Sequence, residues 1–105
     1  MRVLADWTAS YADPLRVQAG QAVALSGREE LWEGHRWLWA EAGGREGWVP
    51  DDLVVEGRAL RDFDALELTV RAGEAVTVLT RTHGWVLCRA GDGRVGWVPE
   101  RCLGE

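Results

Sequence analysis

The chain has 105 residues, 47% of them hydrophobic, and a net charge of −5, with seven Trp against one Tyr and one Phe. This apolar content supports a packed core and excludes a disordered chain. The acidic balance excludes a nonspecific nucleic-acid binder, which displaces counterions with a basic surface, and a protein that docks on anionic lipid.

Lys, Ile and Asn are absent, so every basic side chain is an Arg and a GC-rich, bacterial source is expected. No run is long enough to span a membrane and no basic-then-apolar leader opens the sequence, so the expected compartment is the cytoplasm.

In chain order, the first block is Val3-Leu4-Ala5-Asp6-Trp7, followed by a polar loop, Thr8 through Pro14. Val17-Gln18-Ala19-Gly20-Gln21-Ala22-Val23 comes next, with Gly20 marking a turn. Glu29-Glu30-Leu31-Trp32-Glu33 is the nearest approach to a helical period and is too short to hold a helix. Trp37-Leu38-Trp39-Ala40 reads as a strand with both indoles on one face and Leu38 and Ala40 toward the core. Ala42-Gly43-Gly44-Arg45 suits a tight hairpin and leads into Gly47-Trp48-Val49-Pro50. The first half ends at Glu56-Gly57, where no flexible tract intervenes, so its last strand runs almost directly into the first strand of the second half.

The same blocks then recur in the same order. They are Ala59-Leu60-Arg61-Asp62-Phe63, Val70-Arg71-Ala72-Gly73-Glu74-Ala75-Val76, Trp85-Val86-Leu87-Cys88, and Asp92-Gly93-Arg94-Val95-Gly96-Trp97-Val98-Pro99. An ordered repeat of this kind fixes the architecture: two copies, residues 1–55 and 58–105. Each copy reads as about five short strands, and closure into a small barrel removes the edges that a flat sheet would expose. The expected fold class is therefore all-β, two small five-stranded β-barrels in tandem.

At these blocks the chain resembles the Src homology 3 family, and the two copies cover nearly its whole length. The family's A-L-Y-D-Y opening has its counterparts in Val3 through Trp7 and Ala59 through Phe63. Its E-L-S-F block has them in Pro14-Leu15-Arg16-Val17 and Glu67-Leu68-Thr69-Val70. Its Gly-Trp strand start is seen at Gly84-Trp85 and, as Arg36-Trp37, in the first copy. Its G-x-x-G-x-V-P closing block matches Gly44 through Leu53 and Gly93 through Cys102.

The resemblance implies a module for protein interaction that takes proline-rich or other extended peptides in a groove of aromatic rings, because a polyproline II helix is already stiff. The groove positions implied for the first barrel are Trp7, Tyr11, Asp13, Trp37, Pro50 and Leu53, and this barrel is the expected principal site. Weaker equivalents in the second are Phe63, Glu67, Trp85 and Pro99, with Glu67 as the acid that would pair with a basic ligand residue. Both copies lack rings that the family carries: Ala5 and Leu53 in the first, Arg61 and Cys102 in the second.

Other candidates read as structural. Trp48 and Trp97 stand at equivalent repeat positions, which points to packing. Glu29, Glu30, Glu33 and Glu41 form an acidic face suited to attract a basic ligand or to keep the chain solvated. His35 and His83 are loop residues without the convergent ligands that a metal needs, so no metal and no cofactor are expected. Cys88 is expected in the core and Cys102 at the surface. A barrel of this size lacks a water-excluding cleft, so the chain is not expected to be an enzyme. A peptide or protein partner is expected, with no nucleic acid and no membrane. The alternatives are a structural role, packing into an assembly through the Trp surface, and cell-wall binding.

Overall fold

The computed structural model describes residues 1–105 and is all-β apart from one 3-10 turn. Strands form where apolar and β-branched residues alternate, as in Val76–Thr82, and break at Gly-rich turns. In chain order they are β1 (Arg2–Val3), β2 (Arg16–Val17), β3 (Ala24–Trp32), β4 (His35–Ala42), β5 (Arg45–Pro50) and β6 (Val54–Val55). They continue as β7 (Arg58–Ala59), β8 (Phe63–Asp64), β9 (Val76–Thr82), β10 (Trp85–Ala90), β11 (Val95–Pro99) and, after the 3-10 turn Glu100–Cys102, β12 (Leu103–Gly104).

The chain forms two compact units that do not coincide with the copies expected at 1–55 and 58–105. One unit is the continuous segment Asp13–Ala65. The other is split, Met1–Ala12 together with Leu66–Glu105. The opening block of each repeat has moved to the body of the other repeat.

The cause is local. Val54 pairs with Ala59 and Val55 with Arg58 across a turn of two residues, Glu56 and Gly57. Both have left-handed φ, 51° and 75°, the requirement of a type I′ hairpin, whose twist matches that of the flanking strands. The last strand of the first repeat therefore pairs with the first strand of the second, within one unit. The same turn closes the β3–β4 hairpin at Glu33-Gly34 and the β9–β10 hairpin at His83-Gly84.

In the continuous barrel, β3, β4 and β5 form one sheet, and β8 pairs with β2 through Arg16–Asp64 and Val17–Phe63. The Gly20 amide donates to the Ala59 carbonyl at 2.7 Å, the Ala59 amide donates to the Gln21 carbonyl at 2.9 Å, and the Asp62 carboxylate accepts from the Ala19 amide at 2.8 Å. Leu15, Val17, Val49, Leu53 and Phe63 are buried.

The split barrel repeats this arrangement with the other pair of segments. Its main sheet is β9, β10 and β11, and β1 pairs with β12. The Gly73 amide donates to the Val3 carbonyl and the Val3 amide to the Glu74 carbonyl, both at 2.8 Å, and Asp6 accepts from the Ala72 amide at 2.8 Å. Val3 is 1% exposed and packs in one core with Val70, Val76, Val86, Val98 and Leu103. Cys102, expected at the surface, is buried in this same core, because the 3-10 turn directs it inward; Cys88 is buried as expected. Both are free thiols.

Two strand glycines permit the closest backbone approaches. A Cβ at Gly96 would lie 2.8 Å from the Leu68 nitrogen and 2.9 Å from the Glu67 carbonyl carbon; at Gly47 it would lie 3.2 Å from both the Leu15 nitrogen and the Ala65 Cβ.

Two predictions follow from this packing. Deleting Arg2–Thr8 is expected to strip hydrogen-exchange protection from β9–β11 and leave β3–β5 protected; the reverse pattern would show that each repeat folds around its own opening block. Gly96→Ala is expected to cost about 2–3 kcal/mol in denaturant unfolding, and Gly47→Ala about 1 kcal/mol, because the backbone contacts at 2.8 and 2.9 Å around Gly96 demand a larger shift than the 3.2 Å contacts around Gly47.

Candidate functional site

Strand register brings the first elements of a site together in each barrel. Trp85 stands opposite Pro99 across β10 and β11, and Trp37 stands opposite Pro50 across β4 and β5. What covers each Trp–Pro pair differs between the two.

In the split barrel, Trp7 meets Trp85 edge to face, with ring centroids 5.4 Å apart and planes at 81°. Both rings are half-buried, and Tyr11, a few residues beyond Trp7, is 38% exposed. Edge-to-face packing suits the aromatic quadrupole. Trp7 is held in place by Glu67. One Glu67 carboxylate oxygen accepts from the Trp7 indole Nε1 at 3.0 Å, the Ser10 amide at 3.1 Å and the Ser10 hydroxyl at 2.9 Å. The Ala9 amide donates to the Thr69 hydroxyl at 3.0 Å, and Trp7 and Val70 exchange two backbone hydrogen bonds at 2.9 Å each. Glu67 therefore positions the opening segment rather than presenting an unengaged carboxylate to a ligand.

In the continuous barrel the corresponding surface is closed. Trp37 and Phe63 are each 7% exposed, Leu53 is 0% exposed and Pro50 is fully buried. Asp13 accepts from the Arg45 guanidinium at 3.0 Å, and Arg61 pairs with Asp52 at 3.1 Å. Trp39 and Trp48 meet edge to face with centroids 5.0 Å apart, and Arg28 lies over both rings, at 5.1 and 5.0 Å. Arg28 reaches them from a β-bulge in β3, where the register shifts between Leu25 and Glu29. On the same strand Glu29 receives a hydrogen bond from Arg36 at 2.8 Å, which holds its carboxyl below the usual range.

The first-barrel set is thus divided. Trp7 and Tyr11 belong to the split barrel, whereas Asp13, Trp37, Pro50 and Leu53 belong to the continuous one. Of the second set, Glu67, Trp85 and Pro99 join Trp7 and Tyr11, and Phe63 joins Trp37. Trp37 and Trp39 do not form an open pair of indoles: Trp37 is buried and Trp39 packs on Trp48 beneath Arg28. Trp97 is buried, in keeping with a packing role. The Arg28 stack was missed in the sequence, although Gly27, an isolated glycine inside the strand with φ 90°, is the local mark of such a bulge.

The split-barrel surface offers stacking and apolar contact. Burial pushes the Cys88 thiol above its ordinary pKa, so it stays protonated and is a poor nucleophile.

Two small β-barrels, each with a Trp facing a Pro across a hairpin and an opening strand returning to a Gly turn, define Src homology 3-type folds, the fold of protein-interaction modules. The family model for the variant SH3 domain matches residues 1–57 and again residues 56–105, so the chain belongs to that family, in tandem. No curated protein and no solved structure matches the chain.

Glu67→Ala removes the shared acceptor of three donors. It is expected to destabilise the split barrel by about 2–3 kcal/mol, the scale of hydrogen bonds to a charged group. Tryptophan emission should shift to the red as Trp7 is released, and an unchanged spectrum and melting curve would contradict the positioning role.

Proposed function

We propose that the chain is a non-enzymatic interaction module that binds an extended, proline-rich peptide on the aromatic surface of the split barrel. Trp7, Tyr11 and Trp85 make the contacts, and the fully buried Pro99 backs Trp85 from the neighbouring strand. The observation that carries this reading is the half-buried Trp7–Trp85 pair, set against a Trp37 that is only 7% exposed; Pro99 and Pro50 are both fully buried and do not distinguish the barrels. Polyproline II ligands pack rigid pyrrolidine rings on aromatic faces and lose little entropy on docking. Two indoles at right angles supply one face and one ridge for such packing. Glu67 contributes indirectly, by fixing the indole of Trp7.

The test is a proline-rich peptide array on the full chain, followed by fluorescence titration of the best sequence. Trp85→Ala is expected to cost at least about 2 kcal/mol in binding, the scale of an interface hot spot. Trp37→Ala is expected to cost under about 0.5 kcal/mol in binding but about 3–5 kcal/mol in stability, because it empties a buried site. Circular dichroism establishes first that each variant is folded under the binding conditions. Loss of binding in Trp37→Ala with full binding in Trp85→Ala would move the site to the continuous barrel.

A further inference from the structure

The two opening blocks are tied to the chain in different ways. Residues 58–64 follow a two-residue hairpin turn, and that turn commits them to the continuous barrel. Met1–Ala12 joins the continuous barrel at Ala12–Asp13 without a hairpin, and it completes a barrel whose remaining residues begin only at Leu66.

Its docking is mostly main-chain. Met1 and Val76 bond reciprocally, the N-terminal ammonium donating to the Val76 carbonyl at 3.1 Å and the Val76 amide to the Met1 carbonyl at 2.9 Å. Val3 bonds to Gly73 and Glu74, the Leu4 amide donates to the Cys102 carbonyl at 2.7 Å, and Trp7 bonds to Val70. None of these bonds depends on which molecule the segment comes from. Its own molecule's only other slot of this shape, beside Gly20 and Gln21, is filled by Ala59. The chain thus has one strand to give and one place to receive it.

The crossing is short. Ala9 and Ser10 are held by Thr69 and Glu67 of the split barrel, and Asp13 pairs with Arg45 of the continuous one, so the chain passes from one unit to the other within Tyr11 and Ala12. Short hinges favour exchange between molecules, because the same contacts form with less constraint on the connection.

We propose that Met1–Ala12 is an exchangeable strand and that its partner is a second copy of this chain, each molecule's opening segment completing the split barrel of the other. The exchange is reciprocal and closes as a two-fold dimer with both slots filled. The partner copy then supplies Trp7 to the Trp85 surface, so each aromatic surface is built from two chains. Two such surfaces in one particle would raise the apparent affinity for a ligand that carries repeated motifs. The exchange itself does not depend on the identity of that ligand.

The experiment uses the full chain. Light scattering on a size-exclusion column is expected to show a dimer fraction that grows between about 10 μM and 1 mM, the range in which a second molecule competes with a short tether. Deleting Tyr11 and Ala12 should raise the dimer association constant at least about tenfold, and inserting eight Gly/Ser residues after Ala12 should lower it by a similar factor. A second arm identifies the contact. Arg2 and Ala75 are exposed and face each other across an antiparallel bridge, a spacing that a disulfide spans. In the Arg2→Cys, Ala75→Cys variant, the isolated dimer should oxidise to a covalent dimer on a denaturing, non-reducing gel, and the monomer fraction to a covalently closed monomer. Either of two results overturns the proposal. One is a wild type that stays monomeric to 1 mM. The other is a dimer whose engineered disulfides all lie within one chain, which would show association through another surface. The second arm needs no change of tether length, so it decides the question even if the shortened chain fails to fold.

Discussion

The whole arrangement depends on the turn at Glu56-Gly57. In a barrel of this type the first and last strands are antiparallel neighbours. A connection of two residues between the last strand of one repeat and the first strand of the next has only one low-strain solution, a hairpin. Left-handed φ at both Glu56 and Gly57 makes that hairpin twist in the sense the sheet needs. Gly57 supplies its share without strain, while Glu56 stores about 1–2 kcal/mol, which the four paired residues around it offset. Once Ala59 lies beside Gly20 and Gln21, Val3 has no place in that barrel and the slot beside Gly73 and Glu74 remains for it.

The same constraint decides where a binding surface can exist. Read as repeats, each copy keeps one opening aromatic, one Trp and one Pro. Read as barrels, the groove positions recombine: Trp7 is placed on Trp85, and Phe63 goes with Trp37. The two results are not equivalent. Trp7 is larger than Phe63, and it carries an indole N–H that Glu67 captures. Phe63 is absorbed into the core instead, where it is 7% exposed. Leu53 and Cys102, which stand where the family's closing Tyr is found, are both buried, so neither barrel presents a ring there.

The fold class, the strand blocks and the burial of Cys88 and Trp97 were legible in the sequence, because alternation and Gly-rich turns act within a few residues. The family is also carried by such local blocks, which is why its matches follow the repeats, 1–57 and 56–105, and not the spatial units. The exchange is a non-local property. Its one local signal was the shortness of the Glu56-Gly57 junction, and that signal becomes decisive only when combined with the rule that first and last strands are neighbours. The site followed the same logic. Asp13, Trp37, Pro50 and Leu53 share one compact unit, whereas Trp7 and Tyr11, grouped with them on the basis of chain proximity, lie in the other. The ion pair of Asp13 with Arg45 and the capture of Trp7 by Glu67 depend on tertiary placement and have no periodic signature.

Loop closure shows why so long an exchange is sustainable. Arg2 donates to the Gly73 carbonyl across a sequence separation of 71 residues, roughly four times the loop that pairing within its own repeat would close. Two doublings of loop length cost only about 1.2 kcal/mol, because closure entropy grows with the logarithm of length. That is less than the net worth of two backbone hydrogen bonds, and the opening segment makes more than two with its acceptor. Length therefore decides the order of assembly more than its outcome. Asp13–Ala65 contains all of its own strands and closes through local hairpins. Contacts that span short loops form before those that span long ones. The continuous barrel then forms first, and Met1–Ala12 finds its slot last. A segment that docks last is also the first to be released, which makes the Trp7 side of the aromatic surface the least protected part of the chain.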